Sequence, residues 1–302
     1  MKRAVLVGRG NRRGAAHVET GMNRRTFLAA LASTPALAAL LAACGDDTQV
    51  SSNDSTTGVP NVPDVVVLRV RTEGGFVAPG TDFVGLPQVL ISGDGRVFTP
   101  AAITMIYPGP LVMPLSVRSI TQEGIGKVVE LADSYGLLGP APDYAQKPGM
   151  QVADAPDTVV TVVVDGTPYE HRAYALGFEF SDGSGSTAAR DSLAEFVAAV
   201  TGDIASVAGA DNVGEDQGWV PTQYRFQAMP VDPAQWTEPS PTIVDWPTAT
   251  GVALADAAKC ATVDAAAVGA LFTDANQLTF FHEGDVVYQL AVTGVLPGDS
   301  VC

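Results

Sequence analysis

The sequence predicts an α+β fold, built from antiparallel β-hairpins and a few packed helices and divided into two small domains. Two observations support this fold class. Paired apolar runs rich in β-branched and aromatic residues flank Gly-containing turns in residues 87–98, 158–176 and 278–292, as expected for hairpins. Residues 121–135 and 187–201 instead carry apolar side chains at helical spacing. Hairpins alternating with helices indicate an antiparallel sheet with packed helices.

The first predicted domain covers residues 64–206 and opens with the β-branched run Val65–Val70. A hairpin should follow around residues 93–95, because the glycines of this Gly-Asp-Gly turn can adopt a positive φ. Two further short strands are predicted at Ile103–Ile106 and Leu111–Val117.

The same domain should contain a second hairpin and two helices. Thr158–Val164 and Tyr169–Leu176 are the predicted strands of this hairpin. Thr121 can cap the first helix through its hydroxyl, and Gly136 can end it. The predicted apolar faces consist of Ile125, Val128, Val129 and Ala132 in the first helix, and of Leu193, Phe196, Val197 and Val200 in the second.

The second predicted domain covers residues 219–302 and begins with a segment rich in Trp and Pro. We expect this segment to be extended and to lie against a sheet. Helical patches are predicted near Ala253–Lys259 and Asp264–Phe272, followed by a closing hairpin. The strands of that hairpin are predicted at Leu278–Phe281 and Val286–Val292.

The three tryptophans of the chain, Trp219, Trp236 and Trp246, all lie in this segment and allow two interpretations. Exposed aromatic rings grouped at one site would suit glycan or peptide binding, because their flat faces bury a large area at low entropic cost. Alternatively, each tryptophan fills the edge of the second domain's core. Their exposure distinguishes the two.

An export pattern precedes both domains. Paired arginines are followed by an apolar run without charged residues, and Leu-Ala-Ala then directly precedes a cysteine. The residues of this pattern are Arg24, Arg25, Phe27, Leu28, Leu41, Ala42, Ala43 and Cys44. The pattern resembles a bacterial twin-arginine export signal that ends in a lipoprotein box.

This resemblance implies that residues 1–43 are an extension plus a signal peptide that is removed, and that Cys44 carries a diacylglyceryl thioether. Two or more acyl chains, at about 0.8 kcal/mol per buried methylene, make a stable membrane anchor. Residues 44–63 would be a flexible tether, because their Asp, Ser, Thr, Asn, Gly and Pro composition cannot bury a core. The alternative is an uncut anchor helix, which Pro35 disfavours. The implied location is extracytoplasmic, at the membrane.

Charge limits the classes of partner. Residues 1–43 hold seven of the 17 basic residues and one of the 33 acidic residues, so residues 44–302 carry a formal charge of −22. Such a surface repels phosphate backbones and anionic lipid headgroups. We therefore expect no nucleic-acid partner, and membrane contact only through the lipid on Cys44.

The cysteine count predicts a disulfide. With Cys44 taken up by lipid, Cys260 and Cys302 remain in an oxidising compartment, where they most simply pair. Closing a loop of this length should stabilise the fold by roughly 4 kcal/mol. Two free thiols are the alternative.

Residues suited to catalysis are few. A Ser-His-Asp hydrolase needs a histidine base and an exposed nucleophile, but no Gly-x-Ser-x-Gly elbow exists. Outside the signal, the histidines are His171, expected at a cross-strand polar position, and His282, expected in a solvated turn. Asp154 and Asp157 could serve as acid and base, but they flank a proline before a strand, where aspartate normally closes a turn.

No metal site or cofactor is expected. The oxygen-rich residues Asp211, Asn212, Glu215 and Asp216 do not match the spacing of an EF-hand loop. An acidic linker is the better interpretation.

Together, these features predict a lipid-anchored lipoprotein without catalytic residues, with a role in envelope structure, binding or inhibition. Residues 93–97 and 154–159 resemble segments of secreted bacterial domains, a resemblance that implies a fold but no activity. One alternative is a protein that binds a cell-wall glycan or peptide through its tryptophans. Another is an envelope hydrolase that uses carboxylates. A role in envelope structure, binding or inhibition would imply a partner protein in the envelope.

Overall fold

The computed structural model describes residues 61–77, 80–104, 106–146, 152–178 and 186–302. These residues belong to one compact unit. They form 12 β-strands and four α-helices, with the strands arranged in two sheets. The α+β class predicted from the hairpins and helices is therefore confirmed.

The first sheet has seven strands in the order β6-β5-β1-β2-β3-β4-β7. All neighbouring strands in it are antiparallel. Its strands are β1 (Val66–Glu73), β2 (Val89–Ser92), β3 (Arg96–Pro100), β4 (Leu115–Ser119), β5 (Asp157–Val164), β6 (Thr167–Tyr174) and β7 (Gln217–Gly218). Strand β1 lies between the two predicted hairpins and joins them into one sheet.

Helices α1 (Gln122–Ser134), α2 (Ala188–Gly202) and α3 (Ile204–Ala208) cover one face of this sheet. The Thr121 hydroxyl accepts a hydrogen bond from the Gly124 amide at 3.1 Å, which is the predicted N-cap. The helices bury Ile125, Val128, Leu193, Phe196 and Val200 against strand residues such as Val70, Ile91 and Val160.

The second sheet has five strands in the order β10-β8-β12-β11-β9. Its strands are β8 (Gln223–Pro230), β9 (Thr242–Asp245), β10 (Ala261–Asp264), β11 (Thr279–Glu283) and β12 (Val286–Gly294). Strands β9 and β11 are parallel, whereas the other pairs are antiparallel. Helix α4 (Ala265–Asp274) packs on this sheet over a core of aromatic side chains. That core includes Tyr224, Phe226, Trp246, Phe272 and Phe281.

Several predicted elements need correction. The described residues of Ile103–Ile106 form no strand, and the strand predicted at Leu111–Val117 starts only at Leu115. Pro114 explains the late start, because it directly precedes Leu115 and cannot donate to a sheet ladder. The helical patch near Ala253–Lys259 is a single 3₁₀ turn, Leu254–Asp256. The Trp- and Pro-rich segment contributes β8, which lies inside the second sheet and not merely against it.

A small apolar cluster connects the first sheet with the end of the chain. Leu90 and Phe98 point away from the helices, because their neighbours Val89, Ile91 and Val97 belong to the helix-covered core. They pack with Leu115, Leu296 and Trp219.

The disulfide expected from the cysteine count joins Cys260 to Cys302, with 5.5 Å between the Cα atoms. The C-terminal residues therefore contact both sheets.

Among the described residues, none of the helices has the length and apolar character required to cross a bilayer. The domain boundaries at residues 206 and 219 stay a prediction.

Candidate functional site

Of the three tryptophans predicted as ligand-binding residues, Trp219 lines two cavities at the protein surface. It directly follows β7, and its amide donates to the Leu115 carbonyl at 2.9 Å. Its ring meets the ring of Phe98 edge-on, with centroids 5.5 Å apart and planes at 86°. A Cβ placed on Gly294 would lie 2.6 Å from Cζ3 of Trp219 and 2.7 Å from Cη2. The half-buried indole is thus held in one position, and that position requires a glycine at residue 294.

One side of Trp219 faces a cleft of about 640 Å³, which we call the polar cleft. Its walls combine the entry to β1, the turn into β3, the start of β8 and the C-terminal tail. The lining side chains that carry hydrogen-bonding groups are Asp64, Arg96, Thr222, Gln223, Asp299 and Ser300. The polar cleft therefore places planar polar groups beside one large aromatic ring.

Neighbouring carboxylates orient two of these planar groups. Nε of Arg96 donates to Oδ2 of Asp94 at 2.7 Å, and its guanidinium lies 5.2 Å from the centroid of Phe98. Nε2 of Gln223 donates to Oδ1 of Asp264 at 2.9 Å. Because these contacts restrict both side chains, the polar cleft presents defined groups rather than mobile ones.

The other side of Trp219 borders an apolar cavity of about 300 Å³. Trp219 and Val220 line both spaces, so this dipeptide separates the polar cleft from the apolar cavity. An adjoining cavity of about 370 Å³ shares Pro110 and Met113 with it. We call the two adjoining cavities the apolar groove, and its walls include Val112, Leu115, Tyr224, Phe272, Ile106 and Tyr107.

The other two tryptophans lie elsewhere. Trp236 is half-buried and meets Phe280 edge-on at 5.1 Å. Trp246 is only 5 % exposed, and its Nε1 donates to the Val252 carbonyl at 2.7 Å. Trp246 therefore fills the core, as one of the two interpretations expected, and is not available to a ligand. The tryptophans do not form a shared surface.

Of the histidines in the described residues, His171 lies in β6, and His282, which was expected in a turn, lies in β11. His171 lies opposite Val160 at the predicted cross-strand position, but it is fully buried in the core. Its Nδ1 lies 2.7 Å from the Tyr144 hydroxyl, and its Nε2 lies 3.0 Å from the Leu137 carbonyl. Burial raises the pKa of the Tyr144 hydroxyl. Nδ1 of His282 lies 3.3 Å from Oδ1 of Asp245 near the surface.

Two of the residues considered for catalysis or metal binding, Asp157 and Asn212, make other contacts. Oδ2 of Asp157 accepts from Arg172 at 3.2 Å, and Asp154 occupies a turn with φ of 55°. Nδ2 of Asn212 donates to the Ala208 carbonyl at 2.9 Å, which caps the end of α3. Within the described residues, no group of three or more His, Cys, Asp or Glu side chains could hold a metal ion.

The N-terminal predictions lie outside the described residues. They comprise the export residues Arg24, Arg25, Phe27 and Leu28, the lipoprotein box Leu41, Ala42 and Ala43, and the lipidation residue Cys44.

No protein-family model, curated protein or solved structure matches this chain.

Sequence reasoning identified Trp219 but missed the residues around it. Asp64, Arg96 and Gln223 come from three separate strands or strand entries, and no local pattern connects them. Gly294 ends β12, a strand of nine residues, where a glycine suggests a close backbone approach. That glycine was the one local signal for the site.

Proposed function

We propose that this protein is a lipid-anchored, extracytoplasmic binding protein that receives a glycan in the polar cleft beside Trp219. The proposal joins the export and lipoprotein pattern of residues 24–44 to the arrangement of the polar cleft. In this role the chain binds its ligand without transforming it.

The observation that carries the proposal is the convergence of Asp64, Arg96 and Gln223 around one aromatic ring. A sugar ring has hydroxyl groups along its edge and an apolar face of C–H groups. Carboxylate, guanidinium and amide groups suit the edge because together they donate and accept several hydrogen bonds in fixed directions. An indole suits the face. The volume of about 640 Å³ lies within the range of roughly 300–1,000 Å³ that is typical of ligand sites.

The position of the cleft fits an envelope ligand. Asp64 lines the cleft and comes 20 residues after Cys44, so the cleft lies where the proposed tether joins the folded part. A chain of that length spans at most about 70 Å when fully extended. The ligand would therefore be a polysaccharide close to the bilayer. The acidic surface favours a neutral or cationic glycan over an anionic polymer.

The test compares two matched tryptophan variants of the full chain, purified in a non-ionic detergent. Trp219→Phe reduces the aromatic surface in the cleft but keeps an apolar ring against Phe98. Trp236→Phe is the control, because Trp236 packs on Phe280 away from the cleft. We expect Trp219→Phe to weaken binding to insoluble cell-wall glycan by about tenfold. Co-sedimentation measures this, and the control should bind like the unmodified chain.

Two further variants distinguish a glycan bound in the polar cleft from a peptide bound in the apolar groove. Gln223→Ala changes the polar cleft, and Met113→Ala changes the apolar groove. Glycan binding should weaken in the first variant and persist in the second. Equal binding by Trp219→Phe and Trp236→Phe, or loss of binding only in Met113→Ala, would contradict the proposal. Thermal unfolding of each variant shows whether a loss reflects the site or the fold.

A further inference from the structure

Three arginines surround a small cavity between β1 and β8, which shares Leu296 and Asp299 with the polar cleft but no residue with the apolar groove. Residues 44–302 contain only 10 basic residues, so three in one place is a marked concentration. The cavity has a volume of about 40 Å³. It is lined by Arg69, Arg71, Gly85, Pro87, Arg225, Thr293, Leu296 and Asp299. We call this space the arginine cavity.

The Nε atoms of the three arginines are buried. Nε of Arg69, of Arg71 and of Arg225 makes no hydrogen bond to any of the described residues. A buried donor without a partner costs roughly 1–3 kcal/mol, and more when the group is charged. Most buried polar groups in folded proteins are paired, so three such donors around one cavity need acceptors that the described residues do not supply.

The charges around the cavity are not balanced. Asp299 is the one carboxylate among the lining residues, and it lies 3.0 Å from Nη2 of Arg69 and 3.9 Å from Nη2 of Arg225. Nη2 of Arg71 pairs with Glu73 at 2.6 Å, and Arg172, which also binds Glu73, pairs with Asp157 and Glu170 as well, so Asp299 and Glu73 are the carboxylates that face the three arginines. Burial lowers the pKa of Arg69, and the charges of Arg71 and Arg225 lower it further against the opposing effect of Asp299. Positive charge is therefore in excess.

We propose that the arginine cavity binds a small oxyanion, with phosphate and sulfate as the best-matched forms. Guanidinium groups present several donors in a rigid plane and bind oxyanions in preference to other partners. A cavity needs at least roughly 10–15 Å³ to hold one water molecule, so a volume of about 40 Å³ admits a group somewhat larger than a single water, such as a small oxyanion. An anion there supplies acceptors to the Nε donors and offsets the excess charge.

Arg71 provides the way to test the site without unfolding the protein. Its side chain is 39 % exposed, compared with 15 % for Arg69 and 23 % for Arg225. Arg71→Gln removes the charge and keeps a shorter, neutral polar side chain at the rim. Arg118→Gln is the matched control, because Arg118 bonds the Gly214 carbonyl at 2.9 Å and does not line the cavity.

The experiment titrates phosphate, sulfate and acetate separately into the full chain in detergent, at constant ionic strength set with chloride. Calorimetry measures the affinity. We expect phosphate or sulfate to bind at one site, with about tenfold weaker binding in Arg71→Gln and unchanged binding in Arg118→Gln. Asp299→Asn should bind the same anion more tightly, because it removes the competing carboxylate. Tighter binding of acetate than of either tetrahedral anion would change the ligand to a carboxylate group.

Two results would overturn the proposal. The first is no saturable binding of any of the three anions to the unmodified chain, which would mean that water alone satisfies the donors. The second is equal binding by Arg71→Gln and the unmodified chain, which would mean that the anion acts elsewhere or as a stabilising salt. Leu296 and Asp299 line both spaces, so the two proposals are separated by residues that line one of them: Arg71 lines the arginine cavity alone, whereas Trp219 and Gln223 line the polar cleft and not the arginine cavity.

Discussion

Nη2 of Arg69 lies 3.0 Å from Oδ1 of Asp299 and also donates to the Pro297 carbonyl at 2.6 Å. Arg69 belongs to β1, at the start of the folded part, whereas Asp299 lies near the end of the chain. Their side chains are only 15 % and 10 % exposed. This ion pair therefore fastens the C-terminal tail to the centre of the first sheet, while Cys302 fastens the same tail to Cys260 beside the second sheet.

Asp299→Asn should destabilise the protein. Removing one partner leaves the Arg69 guanidinium in a partly buried position without its counter-charge, and we expect a loss of about 2 kcal/mol in the free energy of unfolding. Denaturant titration measures it. The control is Glu170→Gln, since Glu170 pairs with Arg172 at 3.7 Å on the surface and exposed pairs contribute little. Equal stability of both variants would mean that the tail does not depend on this pair.

Gly294→Ala should displace Trp219. The added methyl group would lie within 2.7 Å of two ring carbons, so the indole has to move, and overpacking of this kind costs typically 1–3 kcal/mol. The control is Gly269→Ala inside α4, where an added Cβ meets nothing within 4 Å. Alanine favours a helix interior, so the control should gain about 0.5–1 kcal/mol. Opposite signs in thermal unfolding confirm the contact, whereas unchanged stability and tryptophan fluorescence in Gly294→Ala contradict it.

Cys44→Ala should release the protein from membranes. An acyl-modified cysteine is the proposed anchor, so its loss leaves a chain without lipid. Fractionation of cells expressing the variant measures the distribution between membrane and soluble fractions. Cys302→Ser is the control and should stay in the membrane fraction. Retention of Cys44→Ala in the membrane would indicate an uncut N-terminal helix instead.

Loss of the disulfide should lower stability by about 4 kcal/mol, because the bond closes a loop with a sequence separation of 42. Cys260→Ser combined with Cys302→Ser avoids a leftover thiol. Denaturant unfolding of this variant measures the change, and intact mass before and after reduction and alkylation verifies the bond in the unmodified chain. Two free thiols in untreated protein would refute the bond.

Local signals predicted much of the fold because they act over short distances. The Thr121 cap places α1 within a residue of its predicted start, and the second hairpin forms around Asp165-Gly166 as expected. Strand β8 was missed although Tyr224, Phe226 and Ala228 alternate with polar residues in the sequence. The flanking prolines and tryptophans favoured an irregular segment over that period-two pattern. The pairing of β1 with β5 joins residues about 90 positions apart, which no local pattern reports.

The candidate site was predictable only in part, because local sequence signals do not report which distant residues meet in the fold. An indole can be recognised as a possible ligand contact from its chemistry alone. Its surroundings could not, because Arg96, Gln223 and the tail meet at Trp219 only after both sheets have formed. Arg69 and Arg71 alternate with apolar residues on β1, which is also the pattern of a solvated strand face. Their burial depends on Arg225 and Asp299, more than 150 residues further along.

The contact between Trp219 and Gly294 also restricts how this protein can diverge. A chain that replaces the glycine with a larger residue has no room for the indole, and a chain that loses the indole no longer needs the glycine. In descendants of a common ancestor, the two positions should therefore change together, 75 positions apart. That pairing is a signature for tracing distant homologues after overall sequence similarity has faded.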